Sequence, residues 1–451
     1  MKRIKGNIKT LINGFAKGDR ITRLSYFVMG AGSFCRKQYV RGFSYLFIQI
    51  VSIYYFATSG IGRILGLTTL GTMTQGKVFD ENRGIYVYTQ GDNSMLFLLF
   101  GVLAVVLVFV VIGVYVMSIK NSVKNQEMLE KGIKIPTFKN DIKDLMNTKY
   151  HLTILSLPTI LTIVFTVLPL IFMILIAFTN FDQNHQPPGN LFTWVGLTNF
   201  KDMLYNNDFI SRTFFSLLKW TFVWAFFATF LNYILGMLLA MLINSRQIKL
   251  KKVWRTIFVI TIAIPQFVSL LLMSQLLADQ GSINQILMNN GFSQIKFLTD
   301  PLLAKITVII VNLWVGIPYT MLITSGVLMN IPQDMYESAR IDGAGPFTQF
   351  RKITLPYMLS VTAPYLITQF VGNINNFNLI FLLTGGGPLT LKYFQAGETD
   401  LLVTWLYRLT VTEKNYAMAS TLGIVIFVIS ATLSLIVFRN ITKKGKEGTF
   451  Q

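Results

Sequence analysis

A run of uncharged polar side chains marks an otherwise apolar segment near residue 370. Thr362, Tyr365, Gln369, Asn373 and Asn376 follow one another at steps of three or four residues, which places them on one face of a helix. Amide groups both donate and accept hydrogen bonds, so this face could hold a hydroxyl-rich ligand without any charged group. Hydrogen bonding between helices is the simpler alternative, worth about 1 kcal/mol for each amide in a membrane. Five aligned positions without a charge favour the lining of a pathway.

A second polar segment lies between two long apolar runs. It reads Tyr336-Glu337-Ser338-Ala339-Arg340-Ile341-Asp342-Gly343, followed nine residues later by Ile353-Thr354-Leu355-Pro356. Prolines and glycines on either side predict a short helix, a sharp break and a second helix. The small residues Ser338 and Ala339 allow a partner to approach closely, and the charged residues around them offer polar contacts. The segment is typical of a surface that docks onto another protein.

No pattern of catalytic residues occurs in the chain. Cys35 is the single cysteine, and the only histidines, His151 and His185, lie in separate loops. The sequence lacks a glycine-rich loop with Gly-Lys-Ser/Thr, a nucleophile elbow and a zinc-ligand spacing. We therefore expect that the chain is not an enzyme, binds no cofactor or metal, and does not hydrolyse ATP itself.

The composition predicts an all-α membrane protein. Of the 451 residues, 52% are hydrophobic and only 13% are charged. A spanning helix needs about 20 mainly apolar residues, and eight segments qualify: 43–59, 95–119, 152–181, 214–243, 253–278, 303–329, 358–383 and 416–438. Residues 24–34 are also apolar but too short to span, so we expect them at the membrane interface. Residues 1–23 are basic and lack the apolar core of a signal peptide.

The Lys and Arg residues are distributed unequally between the two predicted sides of the membrane. Of the 40 Lys and Arg residues, 29 lie in the two termini and the loops on their side, and nine lie in the opposite loops. We therefore expect a multi-pass protein of the cell membrane. The positive-inside rule places both of its termini and the docking segment on the cytoplasmic side. The charge thus indicates topology and contact with anionic lipid, not binding to nucleic acid.

The absence of charged residues from three of the predicted spans limits the kind of solute that the protein could carry. Residues 256–278, 306–333 and 353–391 contain no Asp, Glu, Lys or Arg. An ionic solute or a proton-coupled carrier would usually require an ionisable group inside the membrane. A neutral, hydroxyl-rich solute would not, and Trp314, Tyr319 and Tyr365 offer flat faces for sugar rings.

The docking segment resembles the coupling loop of ATP-binding-cassette (ABC) importer permeases, a pattern that opens Glu-Ala-Ala. Ser338 stands at the second position, a small residue replacing a small residue. The resemblance implies that residues 332–356, the coupling loop, contact an ATPase subunit. The residues expected to do so are Glu337, Ser338, Ala339, Asp342, Gly343 and Pro356. Glu337 is expected to hold a basic ATPase residue, Gly343 to permit the turn, and Pro356 to start the next helix.

Residues 152–438 are similar to the larger membrane subunit of maltose-type sugar importers. The stretches that carry the resemblance are Ile264-Pro265-Gln266-Phe267, Asn312-Leu313-Trp314-Val315-Gly316-Ile317-Pro318-Tyr319, Asp342-Gly343-Ala344-Gly345-Pro346-Phe347, Asn373-Ile374-Asn375-Asn376-Phe377 and Leu383-Thr384-Gly385-Gly386-Gly387-Pro388. By position, the sugar contacts of that family fall on Gln266, Val315, Gly316, Gln369, Asn373 and Asn376. Gln266 and Gln369 stand where the maltose pattern has serine, and Ile262 where it has tyrosine, so the sugar itself stays open.

The resemblance also implies an organisation and a set of partners. We expect a basic N-terminal segment (1–42), two helices with a cytoplasmic linker (43–151), a six-helix type I importer permease domain (152–438) and a basic tail (439–451). Where the enteric maltose subunit has a large folded domain, this chain has only the short loop 182–213, and its basic, amphipathic N-terminal segment resembles the forms found in Gram-positive bacteria. Implied partners are a second homologous permease, a pair of ATPase subunits and a lipid-anchored solute-binding protein.

The expected function is that of a permease subunit that imports a neutral oligosaccharide, with maltose or maltodextrin preferred. One alternative is another oligosaccharide, such as a galacto-oligosaccharide. A second alternative is a carrier that works without an ATPase, which leaves the coupling loop without a role. A third is a membrane scaffold, which leaves the polar face without one.

Overall fold

Long apolar helices dominate the chain, as the hydropathy pattern predicts. The computed structural model describes residue 12 and residues 14–81, 83–245 and 247–447. These divide into two compact units, Met1–Val195 and Gly196–Gln451. The basic segments predicted at the two ends lie partly outside the described residues, at 1–11 and 448–451. The predicted functional boundary near residue 152 stays a prediction.

The first unit carries three helices of membrane-spanning length and a small sheet. Its elements include α1 (Arg20–Leu24), α2 (Ala31–Phe34), α3 (Tyr39–Thr69), β1 (Gly76–Asp80), β2 (Ile85–Thr89), α4 (Ser94–Glu130), α5 (Phe138–Met146) and α6 (Tyr150–Ile176). The antiparallel pair β1–β2 is a hairpin in the predicted outer loop, and the sequence analysis did not anticipate it. The apolar stretch 24–34 forms short helical turns and no span, as expected.

A buried arginine fixes the N-terminal segment of this unit. The Arg36 guanidinium donates to both carboxylate oxygens of Asp19 at 2.9 Å, to Thr22 Oγ1 at 2.8 Å, and to the backbone oxygen of Ser122 on α4 at 2.6 Å. Burial raises the pKa of Asp19, but hydrogen bonds from Thr22 and Arg36 outweigh it and hold that pKa below its ordinary value. The network ties the chain before α3 to the C-terminal part of α4.

The second unit carries the remaining spans. Its elements include α7 (Thr198–Lys201), α8 (Asp208–Asn244), α9 (Lys251–Ala263), α10 (Gln266–Leu277), α11 (Ser282–Asn289), α12 (Pro301–Leu328), α13 (Gln333–Ile341), α14 (Pro346–Ile374), α15 (Phe377–Thr384), α16 (Leu402–Val411) and α17 (Tyr416–Glu447). Small residues let α8 and α12 pack closely. A Cβ on Gly236 would lie 2.1 Å from Thr320 Oγ1, and one on Gly316 would lie 2.3 Å from Asn232 Nδ2.

Each of the eight predicted spans has a counterpart, but two of them are broken. Within the described residues, six helices are long and apolar enough to cross a membrane, or eight if each bent pair counts as one span. The helix pair α9–α10 bends by 86° and the pair α14–α15 by 43°. Pro265 causes the first break, since it has no N–H to donate and holds Ile264 in an extended conformation. At the second break Asn376 is extended and its side chain accepts from Leu379 N, which starts α15 afresh.

Two ion pairs stiffen the segment between α15 and α16, which is predicted to lie outside the cell. Asp400, only 1% exposed, accepts from Arg408 Nε at 3.2 Å and from the backbone N–H of Gly397 at 2.8 Å. Lys305, near the N-terminus of α12, donates to Glu398 Oε2 at 2.8 Å. Burial raises the pKa of Asp400 above its ordinary value, against the lowering effect of the Arg408 charge.

Candidate functional site

A cavity of about 480 Å³ lies among α8, α9, α10, α12 and α14. All six residues predicted to contact the sugar line it: Gln266, Val315, Gly316, Gln369, Asn373 and Asn376. The sequence motifs that carry them are far apart in the chain, and the fold brings them to one wall. No lining residue bears a charge at neutral pH, so the cavity is polar through amides and hydroxyls alone.

Both helix breaks open onto this cavity. Ile264, Pro265 and Gln266 line it at the first break, and Asn373 and Asn376 line it at the second. An interrupted helix exposes backbone groups that hydrocarbon cannot satisfy, so such breaks are tolerated where they face a cavity. The prolines and asparagines that interrupt the spans therefore place backbone and side-chain polar groups around one space.

Asn373 and Asn376 already have hydrogen-bond partners within the chain. Asn373 Nδ2 donates to Thr229 Oγ1 at 3.0 Å, and its backbone oxygen accepts from Trp224 Nε1 at 3.0 Å. Asn376 caps α15 and donates to Asn373 Oδ1 at 3.4 Å. These amides thus hold the break together as well as facing the cavity.

The predicted polar face is not uniform in the structure. Tyr365, Gln369, Asn373 and Asn376 line the cavity, whereas Thr362 is buried outside it and bonds Tyr233 Oη at 2.7 Å. The prediction of a single pathway-lining face is therefore wrong for Thr362. It pairs between helices, as the simpler alternative expects.

Several polar groups at the cavity lack a partner in the described part of the chain. Asn232 Oδ1, Asn312 Nδ2 and Tyr365 Oη are buried atoms without a hydrogen bond there. The side chains of Gln266 and Gln369 likewise show no hydrogen bond among the described residues. A buried polar atom without a partner costs about 1–3 kcal/mol, so these groups are ready to bind a ligand or water. The sequence analysis missed Asn232, whose amide follows no polar period on α8.

Aromatic side chains complete the lining. Trp314, Tyr319 and Tyr365, the three residues proposed as sugar platforms, all border the cavity. Gly316 and Asn232 both line the cavity, and a Cβ on Gly316 would lie 2.3 Å from Asn232 Nδ2, so a side chain there would displace the amide. The wall therefore combines flat apolar surfaces with donors and acceptors, as small-molecule sites do.

The coupling loop contains the exposed helix α13, called the coupling helix below, and the start of α14. None of the residues of α13 is buried. It ends in a Schellman motif: Ala344 N bonds Ala339 O at 2.8 Å, Gly343 N bonds Arg340 O at 3.0 Å, and Gly343 has φ +80°. Ile341, the last residue of α13, and Phe347, in the first turn of α14, are 86% and 73% exposed. Large exposed apolar residues beside a charged helix are typical of an interaction site.

One hydrogen bond joins this helix to the next. Tyr336 Oη lies 2.8 Å from Thr354 Oγ1, and Thr354 is buried. Pro356 lies in the first turn of the α-helical segment Leu355–Ile374, which follows a π-helical turn at Phe350–Thr354 within α14. Its role in starting a helix that responds to the coupling loop stays a prediction. The turn precedes a residue that cannot donate a backbone hydrogen bond.

The comparisons with known proteins agree with this architecture. The family model described as "Binding-protein-dependent transport system inner membrane component" matches residues 232–445. A galactooligosaccharides transport system permease protein of Bacillus subtilis is 33% identical over 95% of this chain and 99% of its own length. A maltodextrin transport system permease protein of Streptococcus pneumoniae is 35% identical over 92% of this chain and 94% of its own.

A solved structure shares the fold. It is a bacterial ABC transporter involved in import of the acidic polysaccharide alginate, with a TM-score of 0.54 and 24% identity over 67% of this chain and 99% of that one. This confirms the predicted all-α fold of an ABC importer permease. Two permease relatives are 33% and 35% identical to this chain over nearly its whole length. The chain therefore belongs to the family of binding-protein-dependent transport system inner membrane components, as an ABC sugar permease of the maltose type.

Proposed function

We propose that this permease carries a neutral oligosaccharide, with maltodextrin as the preferred cargo, through the cavity between α8 and α14. The observation that carries the proposal is the uncharged cavity wall that unites amides from two broken helices with three aromatic rings. Its volume of about 480 Å³ lies within the range of roughly 300–1,000 Å³ typical of small-molecule sites.

The chemistry of the wall fits a sugar. Each hydroxyl both donates and accepts a hydrogen bond, and so does an amide side chain, whereas a lysine or aspartate would favour an ion. Gln266, Gln369 and Asn376 supply such amides, and Val315 and Gly316 supply a surface against which a ring could slide. The aromatic residues would stack on the apolar faces of the rings.

ATP hydrolysis by partner subunits would drive the import. In this proposal Glu337, Ser338, Ala339, Asp342 and Gly343 enter a cleft of an ATPase subunit, with Glu337 next to a basic residue. Pro356 starts the α-helical part of α14 that follows the π-helical turn. The exposure of α13, including its last residue Ile341, supports such docking. A second homologous permease would complete the pathway, and an extracellular solute-binding lipoprotein would deliver the sugar.

A galacto-oligosaccharide is the second candidate cargo. The relative named for galactooligosaccharides is 33% identical to this chain and the one named for maltodextrin 35%, so overall similarity favours neither sugar. The glutamines at positions 266 and 369 are long and flexible amides, and they could follow hydroxyls of different orientation.

The test is uptake by the complete importer in cells that lack other oligosaccharide transporters. Labelled maltotriose, a galacto-oligosaccharide and an anionic uronate oligosaccharide of similar length are compared, with and without depletion of ATP. We expect ATP-dependent uptake of maltotriose, and little uptake of the uronate because the wall offers no cation. Uptake that survives removal of the ATPase subunits would establish a carrier instead, and equal uptake of the uronate would contradict a neutral cargo.

A further inference from the structure

The side chain of Asn244, the last residue of α8, lies at the meeting point of three helices. Its Nδ2 donates to Ser325 Oγ on α12 at 2.9 Å and to Ala240 O at 2.8 Å. Its Oδ1 accepts from Arg255 Nη2 on α9, and its backbone oxygen accepts from Lys251 Nζ at 2.9 Å. One residue therefore fastens the end of α8 to the start of α9 and to the end of α12.

The hydrogen bonds of Asn244 lie between packed helices and not on an open surface. Ser325 is only 4% exposed, and Asn244 and Arg255 are half-buried. Arg255 also approaches Met329 Sδ at 3.8 Å, one residue beyond the end of α12. Polar groups held this way between packed helices have few alternative partners, so the junction has one favoured arrangement.

The coupling helix adjoins the same junction. Asn244 lines a cavity of about 310 Å³ together with Met329, Tyr336, Glu337 and Arg340. Helix α12 ends at Leu328 and α13 begins at Gln333, so only four residues separate the fastened end of α12 from the coupling helix. Because this connection is short, a displacement of α13 is expected to displace the end of α12 as well.

The other end of α9 reaches the sugar cavity. Thr261 and Ile262 line that cavity, next to the break at Ile264 and Pro265. Ile262 follows Arg255 by seven residues, a distance of about 10 Å along a helix. Helix α9 is thus a short rigid rod between the Asn244 junction and the cavity wall.

We propose that Asn244 is a positioning residue that transmits movement of the coupling helix to α9, and through it to the wall of the sugar cavity. The proposal rests on the ATP-driven coupling proposed above, but not on the identity of the cargo. It complements the Tyr336–Thr354 hydrogen bond, which links the coupling helix to α14 on the other side of the cavity. Two walls of the cavity then respond to one docking event.

The experiment follows the cavity wall directly. A cysteine is placed at Ile262 in a Cys35→Ser background, since Cys35 is the single cysteine of the chain. In membranes that contain the complete importer, the rate of maleimide labelling is measured with and without trapping of the ATPase subunits by ATP and vanadate. We expect trapping to change the labelling rate when the junction is intact.

Substitutions then break the junction. Asn244→Ala and Arg255→Ala should each reduce the response to trapping by about fivefold or more, the lower end of coupling between sites. The double variant should lose little more than either single one, because both remove the same contact. Lys252→Ala is the matched control, because it removes a cationic side chain from the same helix and that side chain is exposed. It should keep the full response.

The outcomes separate the proposals. Should Asn244→Ala lower the amount of assembled complex, Ser325→Ala decides the matter, since it deletes one oxygen and should still weaken the response. A response that stays at the parent value in Arg255→Ala and Ser325→Ala overturns the role of Asn244, as does an intact junction that never responds to trapping. A parent that responds but imports no neutral oligosaccharide supports the junction and contradicts the proposed cargo.

Discussion

Gln369 and Asn376 look equivalent in the sequence but differ in the structure. Both are amides that line the cavity. Asn376 also caps α15 through Leu379 N, whereas the Gln369 side chain has no hydrogen bond within the described part of the chain. At the scale of single residues, a polar period thus identifies which side chains face one way, but not which of them the fold already uses.

Gln369→Leu therefore tests sugar binding with little structural cost. It removes a donor and an acceptor from the wall, and we expect the KM for uptake to rise on the order of tenfold with unchanged protein level. Asn376→Leu should lower both uptake and stability, since the loss of a helix cap costs about 1 kcal/mol. Asn378→Leu, an exposed amide on α15, is the control and should behave as the parent does. Uptake by Gln369→Leu at the parental KM would contradict a sugar contact.

Gly343 and Gly345 form a second informative pair. A Cβ at either position meets no atom within 4 Å in this chain, but Gly343 has φ +80° and Gly345 has φ −69°. Gly343→Ala should cost about 1–2 kcal/mol because an L-residue is strained in the left-handed region. The coupling helix should then lose its defined end, and less ATPase should co-purify with the permease. Gly345→Ala should retain the parental amount of co-purified ATPase. An equal loss of ATPase in both variants would indicate that the ATPase contacts the loop directly at these positions, and would contradict backbone strain as the cause.

At the scale of elements, hydropathy was sufficient for the spans and insufficient for their interruptions. Apolar length predicts all eight segments because a bilayer demands it. The bends at Pro265 and Asn376 depend on what the freed backbone groups can face, and that is decided by helices distant in sequence. The hairpin β1–β2 was missed because its alternation is short and lies in a loop that the hydropathy pattern treats as a connection.

The contact between α8 and α12 leads to a prediction at this scale. Gly236→Ala would place a methyl group 2.1 Å from Thr320 Oγ1 and 2.9 Å from the backbone nitrogen of Met321, so the helices must separate. We expect a lower melting temperature of the purified permease in detergent. Gly326→Ala on α12 meets nothing within 4 Å and should be neutral or stabilising, because alanine favours a helix over glycine by about 1 kcal/mol. A Gly236→Ala protein as stable as Gly326→Ala would mean that close approach of these helices contributes nothing to stability.

At the scale of the whole molecule, charge and hydropathy act together. The apolar spans predict how many times the chain crosses the membrane, and the distribution of Lys and Arg predicts the direction of each crossing. The motifs near residues 264, 312 and 373 predicted which residues meet in the cavity because they came through resemblance to a family. Physical periodicity alone could not have brought α10, α12 and α14 together, since their contacts are made between segments far apart in the chain.

The direction of the crossings can be tested with the natural cysteine. Cys35 is exposed and precedes α3, on the side that carries 29 of the 40 basic residues, so we expect it in the cytoplasm. A membrane-impermeant maleimide should leave it unlabelled in intact cells and label it in inverted vesicles. In a Cys35→Ser background, Glu81→Cys in the turn of the outer hairpin should show the reverse pattern, and Lys131→Cys after α4 should follow Cys35. Labelling of Cys35 and Lys131→Cys from outside intact cells would invert the proposed topology and place the coupling helix on the wrong side for an ATPase.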